Sequence, residues 1–377
     1  MNQFLFTNHA IPIGVLATAA VGGYILMVAR FSRIWRNRKQ EPIADSPQMP
    51  FVSVVVAFKN EASNLSALLN ALKWQTYPHE KFEILLVDDS SDDHFIDVLG
   101  SYEDTRIQLL HNPGNGKKEA VRHGVIHAKG EIVLVTDADC IPPDSWIKSM
   151  AIAFSSTKVQ LVIGPVMMNP AADFWERYQR LDFMSLQLSG AAAAMANRPV
   201  MCNGASLGFR KPFYLSTSDL SPQYRSGDDM FLLHRAKQMG KEIVFLQRSD
   251  AIVTTRPEKT LKDFLRQRIR WASKAKGYTD TDTLMVAFIV ALANFALVLL
   301  PVLAWFHWPY LVLFVMLLLV KATVENSFFN HGKRFFGIDY SFCFFAVVQL
   351  LHPIYTVGVV CVSMFANVKW KGEKVIR

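Results

Sequence analysis

The sequence has few cysteines, and their positions argue against the structures that cysteines usually build. The 377 residues include only four cysteines: Cys140, Cys202, Cys343 and Cys361. They do not show metal-ligand spacing, and the last two fall in an uncharged apolar stretch. We therefore expect neither a zinc site nor a disulfide framework, and the composition fits a reducing cytoplasm.

Charge is missing from three long stretches of the chain. Residues 11–29, 284–306 and 342–366 run for 19, 23 and 25 residues without a charged side chain. Each is long enough to cross a hydrocarbon core of about 30 Å. A fourth apolar run, 307–320, has 14 residues and ends at Lys321. We predict one membrane helix within residues 1–39 and a C-terminal membrane region over 284–366 with two or three spans.

Basic residues are also absent ahead of the first apolar run, which therefore does not resemble a cleavable signal peptide. Cations follow it at once: Arg30, Arg33, Arg36, Arg38 and Lys39. Cations just after a span favour the cytoplasmic side. We expect an integral, multi-pass protein of the inner or plasma membrane whose soluble domain is cytoplasmic. The net charge is +8, but the cations concentrate beside the spans and within residues 267–271, so nucleic acid is not expected as a partner.

The C-terminal topology leaves two alternatives open. An aromatic turn at Trp305 and Trp308 suggests a hairpin of two spans. A further crossing by 342–366 would then put the basic tail, 367–377, outside, against the positive-inside tendency. Either the short run 307–320 does not span, or the last run kinks at Pro353 and re-enters.

Between the membrane stretches, a Pro-rich linker at 40–50 leads into a soluble domain over 51–275. Residues 51–57 form a continuous β-branched run, typical of a parallel strand that is buried on both faces. Further strands are predicted at 82–87, 107–110 and 131–136, with helices from residue 60, at 93–102 and at 118–128. Beyond residue 150, strands are predicted at 159–166 and 201–209, and the aromatic, amphipathic residues 174–184 form either a helix packed on the sheet or an interfacial segment at the membrane. This alternation predicts an α/β fold with a mostly parallel sheet, whose ligands bind at the carboxyl ends of the strands.

Acidic pairs stand at two of those strand ends. Asp137 and Asp139 can converge on a hard divalent ion such as Mg²⁺ or Mn²⁺, although a turn or a helix cap is the commoner role of such a pair. Asp88 and Asp89 form either an Asx-type turn or an acceptor for the N–H of a base. Lys117 follows a flexible Gly-Asn-Gly turn and is either a surface lysine or a phosphate or base contact.

Two further motifs lie downstream. Asp228 and Asp229 can cap the following helix, and one of them can also act as a general base. Residues 267–271 read Gln-Arg-Ile-Arg-Trp. The two arginines offer bidentate contacts to a diphosphate, and the tryptophan offers a face to a sugar or base. The alternative is a basic amphipathic helix on the membrane, and both roles are compatible.

The order of these motifs resembles a membrane-bound family 2 glycosyltransferase with a GT-A fold. Relatives of this kind include the cellulose, chitin and hyaluronan synthases and the ceramide glucosyltransferases. The resemblance covers roughly residues 50–275, and residues 52–61 and 117–124 are similar to the first strand and the lysine-containing helix start of the family. One departure is Asp228, where the family more often has Glu.

The resemblance implies a role for each motif. Asp229 would be the catalytic base; Asp88, Asp89, Lys117 and Asp137 would bind the nucleotide donor. Asp139, with Asp137, would hold Mg²⁺ or Mn²⁺. The expected contacts to the diphosphate and the acceptor are Gln267, Arg268, Arg270, Trp271 and Asp228.

The resulting hypothesis is an inverting transferase that moves a sugar from a nucleotide donor, expected to be a UDP-sugar, to a lipid, lipid-linked or polysaccharide acceptor at the cytoplasmic membrane face. A processive polysaccharide synthase, a catalytically silent membrane scaffold and a metal-dependent nucleotidyltransferase are the alternatives. The small number of predicted spans disfavours the processive synthase. The intact acidic set disfavours the silent scaffold, and residues 267–271 disfavour the nucleotidyltransferase.

Overall fold

The structure is a computed structural model that describes residues 2–38, 49–170, 173–217, 228–365, 369–370 and 373–374. The chain divides into two compact units. One, the membrane unit, comprises residues 1–38 and 260–366; the other, the transferase unit, comprises residues 39–259 and 367–377. Most of the predicted linker at 40–50 lies outside the described residues.

The elements are numbered in chain order. The helices are α1 (Asn2–Arg36), α2 (Ala62–Lys73), α3 (Phe95–Leu99), α4 (Lys117–His127), α5 (Trp146–Ile152), α6 (Phe174–Met195), α7 (Lys211–Leu215), α8 (Asp228–Gln238), α9 (Leu261–Ser273), α10 (Thr281–Ala304), α11 (Pro309–Phe336) and α12 (Phe342–Phe365). The strands are β1 (Val52–Phe58), β2 (Phe82–Asp88), β3 (Ile107–His111), β4 (Ile132–Val135), β5 (Val159–Ile163), β6 (Val166–Met168), β7 (Leu207–Arg210), β8 (Glu242–Phe245), β9 (Val253–Thr255), β10 (Lys369–Trp370) and β11 (Glu373–Lys374).

A seven-stranded sheet in the order β3-β2-β1-β4-β7-β5-β8 forms the core of the transferase unit. Only β7 runs antiparallel to its neighbours, β4 and β5, so the predicted α/β fold with a mostly parallel sheet is confirmed. All residues of β1, β2 and β4 are buried, as their β-branched sequences predict. Helix α4 packs tightly on this sheet, because a Cβ atom at Gly124 would lie 2.5 Å from Val55 Cγ1.

Four predicted elements differ clearly in extent, and the helix predicted at 93–102 is limited to α3, Phe95–Leu99. The strand predicted at 159–166 is divided into β5 and β6 around Pro165, which has no N–H to donate to a ladder. The helix predicted at 174–184 continues to Met195 through an alanine-rich stretch, which favours helix. Of the strand predicted at 201–209, only the end forms β7. The preceding residues turn instead, because the Asn203 side chain accepts from Ala205 N (3.0 Å) and the Asn203 carbonyl accepts from Ser206 N (3.1 Å).

Four helices of the membrane unit are long and apolar enough to cross a membrane: α1 over Ile11–Arg36, α10, α11 and α12. Helix α11 does not stop at the end of the short run 307–320. It continues through Lys321 because that side chain is buried and paired with Glu325, one turn later, at 2.8 Å. Gln349 of α12 accepts from Lys321 at 2.8 Å and donates to Glu325 at 2.5 Å, and Tyr24 of α1 also donates to Glu325. These four residues are the membrane polar cluster.

Candidate active site

Three neighbouring strands bring acidic residues to one edge of the sheet. β1 pairs in parallel with β2 on one side and with β4 on the other, so their carboxyl ends meet at one edge. Asp88 is the last residue of β2, and Asp137 comes two residues after the end of β4. The acidic pairs that the sequence places at strand ends therefore belong to one region.

The carboxylates of Asp88 and Asp89 have different hydrogen-bond partners. Asp89 is buried and binds the loop before α4: it accepts from Gly116 N at 2.9 Å and from the Asn112 side chain at 2.6 Å. Gly116 has φ +96°, which favours glycine, so Asp89 fixes a turn that glycine makes possible. Asp88 accepts from Ser91 N at 2.9 Å, and its other oxygen lies 3.4 Å from His111 Nδ1.

Lys117, the first residue of α4, connects the acidic groups. Its side chain is mostly covered, and Nζ pairs with Asp137 Oδ1. Burial alone would lower the pKa of Lys117, but the charges of Asp137, Asp228 and Asp229 outweigh it and raise that pKa above its ordinary value. Lys117 is therefore a fixed cation beside both the strand-end pair and the α8 pair.

Asp137, Asp139 and Cys140 form the group that could hold a metal ion, with one ligand atom from each lying within 4.8 Å of the others. Enclosure by the surrounding protein, then the negative charges of Asp137 and Glu61, raise the pKa of Asp139 to about 6, although its side chain reaches the surface. Burial, followed by the charge of Asp139, raises the pKa of the Cys140 thiol, so the thiol stays protonated. Two carboxylates and a protonated thiol fit a hard, oxygen-preferring cation held by the carboxylates.

Asp228 and Asp229 begin α8, and Asp229 faces a loop before β7. Asp229 Oδ2 accepts from Gly204 N at 3.2 Å, and its Oδ1 accepts from Met230 N at 2.8 Å. A Cβ atom at Gly204 would lie 3.6 Å from Lys117 Nζ and 3.7 Å from Asp229 Oδ2. The loop at residues 202–206 therefore brings Asp229 into the neighbourhood of Lys117 and Asp137.

Residues 267–271 lie on α9, in the membrane unit. Arg268 is buried there: its guanidinium lies 4.8 Å from the ring centre of Phe264 and 4.3 Å from that of Trp271, and it donates to the Gln267 side chain at 2.9 Å. These contacts give Arg268 a role in the packing of α9. The diphosphate and acceptor roles of Gln267, Arg268, Arg270 and Trp271 stay predictions.

Sequence reasoning missed three residues around the site. Glu61 follows β1 and adds negative charge near Asp139; its position after a buried strand was the available signal, since the same rule located Asp88 and Asp137. Asn112 has no pattern signal, because its partner Asp89 is distant in sequence. Thr136 donates to the Ala205 carbonyl at 2.8 Å and holds the 202–206 loop against the end of β4, which only the folded sheet reveals.

Residues 53–215 match the family model described as glycosyl transferase family 2, within the transferase unit. The transferase unit therefore contains a glycosyl transferase family 2 domain, and with the glycosyltransferases similar to it this confirms the resemblance that the motifs carry and the assignment as a glycosyltransferase.

Similar proteins agree with this assignment. The glycosyltransferase AglE of Haloferax volcanii is 26% identical over 256 residues, which cover 66% of this chain and 81% of AglE. A beta-monoglucosyldiacylglycerol synthase of Trichormus variabilis is 29% identical over 146 residues, covering 37% of this chain and 31% of the synthase. Among solved structures, a mannosyltransferase from Pyrobaculum calidifontis, in complex with GDP-Man and Mn²⁺, matches with a TM-score of 0.62 at 18% identity, over 94% of this chain and 98% of that chain. This last likeness confirms the GT-A-like fold.

Proposed function

We propose that the chain transfers a sugar, with inversion at the anomeric carbon, from a nucleotide-sugar donor to a hydroxyl of a lipid or lipid-linked acceptor at the cytoplasmic face of a membrane. The observation that carries this proposal is the position of Lys117, which pairs with Asp137 and lies beside Asp229. One cation thus joins the strand-end carboxylates, suited to a donor, to the carboxylate suited to a base.

Asp137 and Asp139 would hold a divalent cation together with the donor diphosphate. Burial, followed by the negative charges of Asp137 and Glu61, raises the pKa of Asp139, and a bound cation would favour its charged form. A bound Mg²⁺ or Mn²⁺ would neutralise the charge that develops on the leaving diphosphate. The Pyrobaculum mannosyltransferase, whose fold this chain shares, was solved with a nucleotide sugar and Mn²⁺, which supports this assignment.

Asp229 would act as the general base. Its two backbone hydrogen bonds, from Gly204 and Met230, fix the carboxylate at the start of α8. The acceptor hydroxyl passes its proton to Asp229 as its oxygen forms the bond to the anomeric carbon. The bond from that carbon to the diphosphate oxygen breaks in the same displacement, and the nucleoside diphosphate leaves with the electron pair.

A lipid acceptor is favoured by the membrane unit and by one relative. Among the residues that the structure describes, four helices are apolar and long enough to enter a membrane. The Trichormus relative is named as a synthase of a glucosylated diacylglycerol, and the region shared with this chain covers 31% of that synthase. A hydroxyl at the polar end of a lipid is therefore the acceptor class that we propose.

The test is transfer by purified protein in detergent, with UDP-sugars and GDP-mannose as donors and extracted lipids as acceptors. We expect product only with Mg²⁺ or Mn²⁺ and none with a chelator. An Asp229→Asn variant should lose about 10²- to 10⁴-fold in turnover, the usual contribution of a general base, and still bind the donor.

Asp97→Asn is the matched control, because Asp97 lies on α3 with a side chain that is 83% exposed. It should turn over like the unaltered chain. Near-normal turnover by Asp229→Asn would refute the assignment of the base. A failure to bind any nucleotide sugar would refute the proposed activity and favour the silent scaffold.

A further inference from the structure

Helix α11 ends at the same membrane face as α1. Three contacts join the two helices in ascending order of residue number: Gly14 with Leu313, Tyr24 with Glu325, and Trp35 with Phe335. The helices are therefore parallel. Helix α1 ends at Arg36, and the transferase unit follows it in the sequence from residue 39, so we name the face where α1 and α11 end the transferase face.

The position of the C-terminal end of α12 follows from the course of α10 and α11. Helix α11 returns to the transferase face, so the four residues between α10 and α11 lie at the opposite face and α10 crosses as well. At the other end of α10, Lys276 Nζ donates to the Met364 carbonyl, in the last turn of α12, at 2.9 Å. A crossing α12 would separate these two groups by about the 30 Å of a hydrocarbon core. Their contact shows instead that α12 begins and ends near the same face.

We propose that α12 lies within the leaflet of the transferase face, entering after α11 and returning at its own C-terminal end. Gln349 joins its first half to the membrane polar cluster through Lys321 and Glu325. Its second half stacks Tyr355 on Phe264 of α9, with ring centres 5.4 Å apart. Pro353, between these contacts, removes one helical hydrogen bond and permits a bend.

The surface of α12 fits acyl chains as its partner. Its outward side chains are large and apolar, among them Phe342, Leu350, Ile354 and Phe365. The helix spans 24 residues without Asp, Glu, Lys or Arg, and most of its exposed side chains are apolar. An apolar helix that does not cross buries this surface among the lipid tails of one leaflet.

The distribution of charge supports the same topology. With three crossings, by α1, α10 and α11, the cations after α1, the pair Lys333 and Arg334 at the end of α11, and the basic tail all lie on the transferase face. The opposite face receives residues 305–308, Trp-Phe-His-Trp, which contain no Lys or Arg. A fourth crossing would move four cations, Lys369, Lys371, Lys374 and Arg377, to that face. Of the two topologies that the sequence leaves open, re-entry of the last run is the one supported.

Thiol labelling in sealed membrane vesicles tests the proposal. Replacing Cys343 and Cys361 by serine leaves only the buried Cys140 and Cys202. Four single variants then show on which side of the membrane each segment lies. Asp97→Cys marks the transferase unit, Ser341→Cys the start of α12, Glu373→Cys the tail, and His307→Cys the loop between α10 and α11. With an impermeant reagent, the first three should be labelled in vesicles of one orientation, and His307→Cys only in the other.

Labelling of Glu373→Cys together with His307→Cys would overturn the proposal, because α12 would then cross. A second measurement uses the chain without cysteine changes, with an epitope after Arg377. Protease added to vesicles that expose the transferase unit should remove the epitope as well, whereas a protected epitope would overturn the proposal. Neither result depends on which sugar the enzyme transfers.

Discussion

The two units both contain close groups of charged side chains, but they balance them differently. In the membrane polar cluster, one buried cation and one buried carboxylate pair with each other, and Gln349 and Tyr24 supply further hydrogen bonds. At the strand edge of the transferase unit, by contrast, Lys117 pairs with Asp137, but Glu61 and Asp139 add further negative charge. Burial, followed by the charges of Asp137 and Glu61, raises the pKa of Asp139 to about 6. A cluster whose positive and negative charges are paired is stable without a ligand, whereas a cluster with excess negative charge is stabilised by a bound cation. The membrane polar cluster is therefore a structural network, whereas the strand-edge group fits the metal-binding role that we propose for it.

The largest effect is expected from Asp139→Asn. This change removes one of two carboxylates suited to a divalent cation and the charge that would hold it. We expect turnover to fall by about 10³-fold, since loss of one electrostatic contact in a catalytic site costs about 10²–10³ or more. Titration of Mn²⁺ against transfer should show that the variant needs a higher Mn²⁺ concentration for half-maximal activity. An unchanged Mn²⁺ dependence in this variant would place the cation elsewhere.

The membrane polar cluster predicts a loss of stability with a specific pattern. Lys321→Met or Glu325→Leu alone leaves a buried charge without its partner and should cost about 3–5 kcal/mol of unfolding free energy. The double variant removes both charges and should recover a large part of that loss. Thermal unfolding in detergent, followed by the labelling of cysteines that are buried in the folded protein, measures the stability of the two single variants and of the double variant.

A double variant as unstable as the sum of the singles would contradict the pairing of Lys321 with Glu325, because independent sites add. Transfer by the surviving folded fraction should be unchanged in each variant. A selective loss of turnover in Lys321→Met would mean that the cluster takes part in catalysis.

The same contrast explains what the sequence could predict. Strands β1, β2 and β4 and the acidic turns after them follow from β-branched runs and from the rule that ligands bind at strand ends. The course of α11 through Lys321 did not follow, because a lysine in an apolar run normally marks its end. Only the position of Glu325 one turn later, and of Gln349 on another helix, makes that charge tolerable. Pairings between distant residues, such as Asp89 with Asn112, were likewise invisible to patterns within one segment.

A smaller effect is expected from Asp89→Ala. The carboxylate accepts from Gly116 N and the Asn112 side chain and so orders the turn that precedes Lys117. Hydrogen bonds to charged groups contribute about 1.5–3 kcal/mol each, but the turn can relax, so we expect a KM for the donor raised by about tenfold with kcat less affected. Steady-state kinetics with varied donor separates the two constants. A fall in kcat alone would give Asp89 a role in the chemical step.

The smallest effect on transfer is expected from Glu83→Gln, a matched carboxylate in the same unit. Glu83 is the second residue of β2, near the opposite end of the strand from Asp88, and is buried. It accepts from the Ser53 hydroxyl and from Lys129 N, both at 2.6 Å, so its charge is matched by donors as in the membrane polar cluster. The substitution keeps the shape and weakens these bonds, at about 1–2 kcal/mol of unfolding free energy. Thermal unfolding should therefore shift downward while turnover and Mn²⁺ dependence stay unchanged. A loss of Mn²⁺ dependence in Glu83→Gln would show that carboxylate charge anywhere in the unit, and not its accumulation at the strand edge, controls the cation.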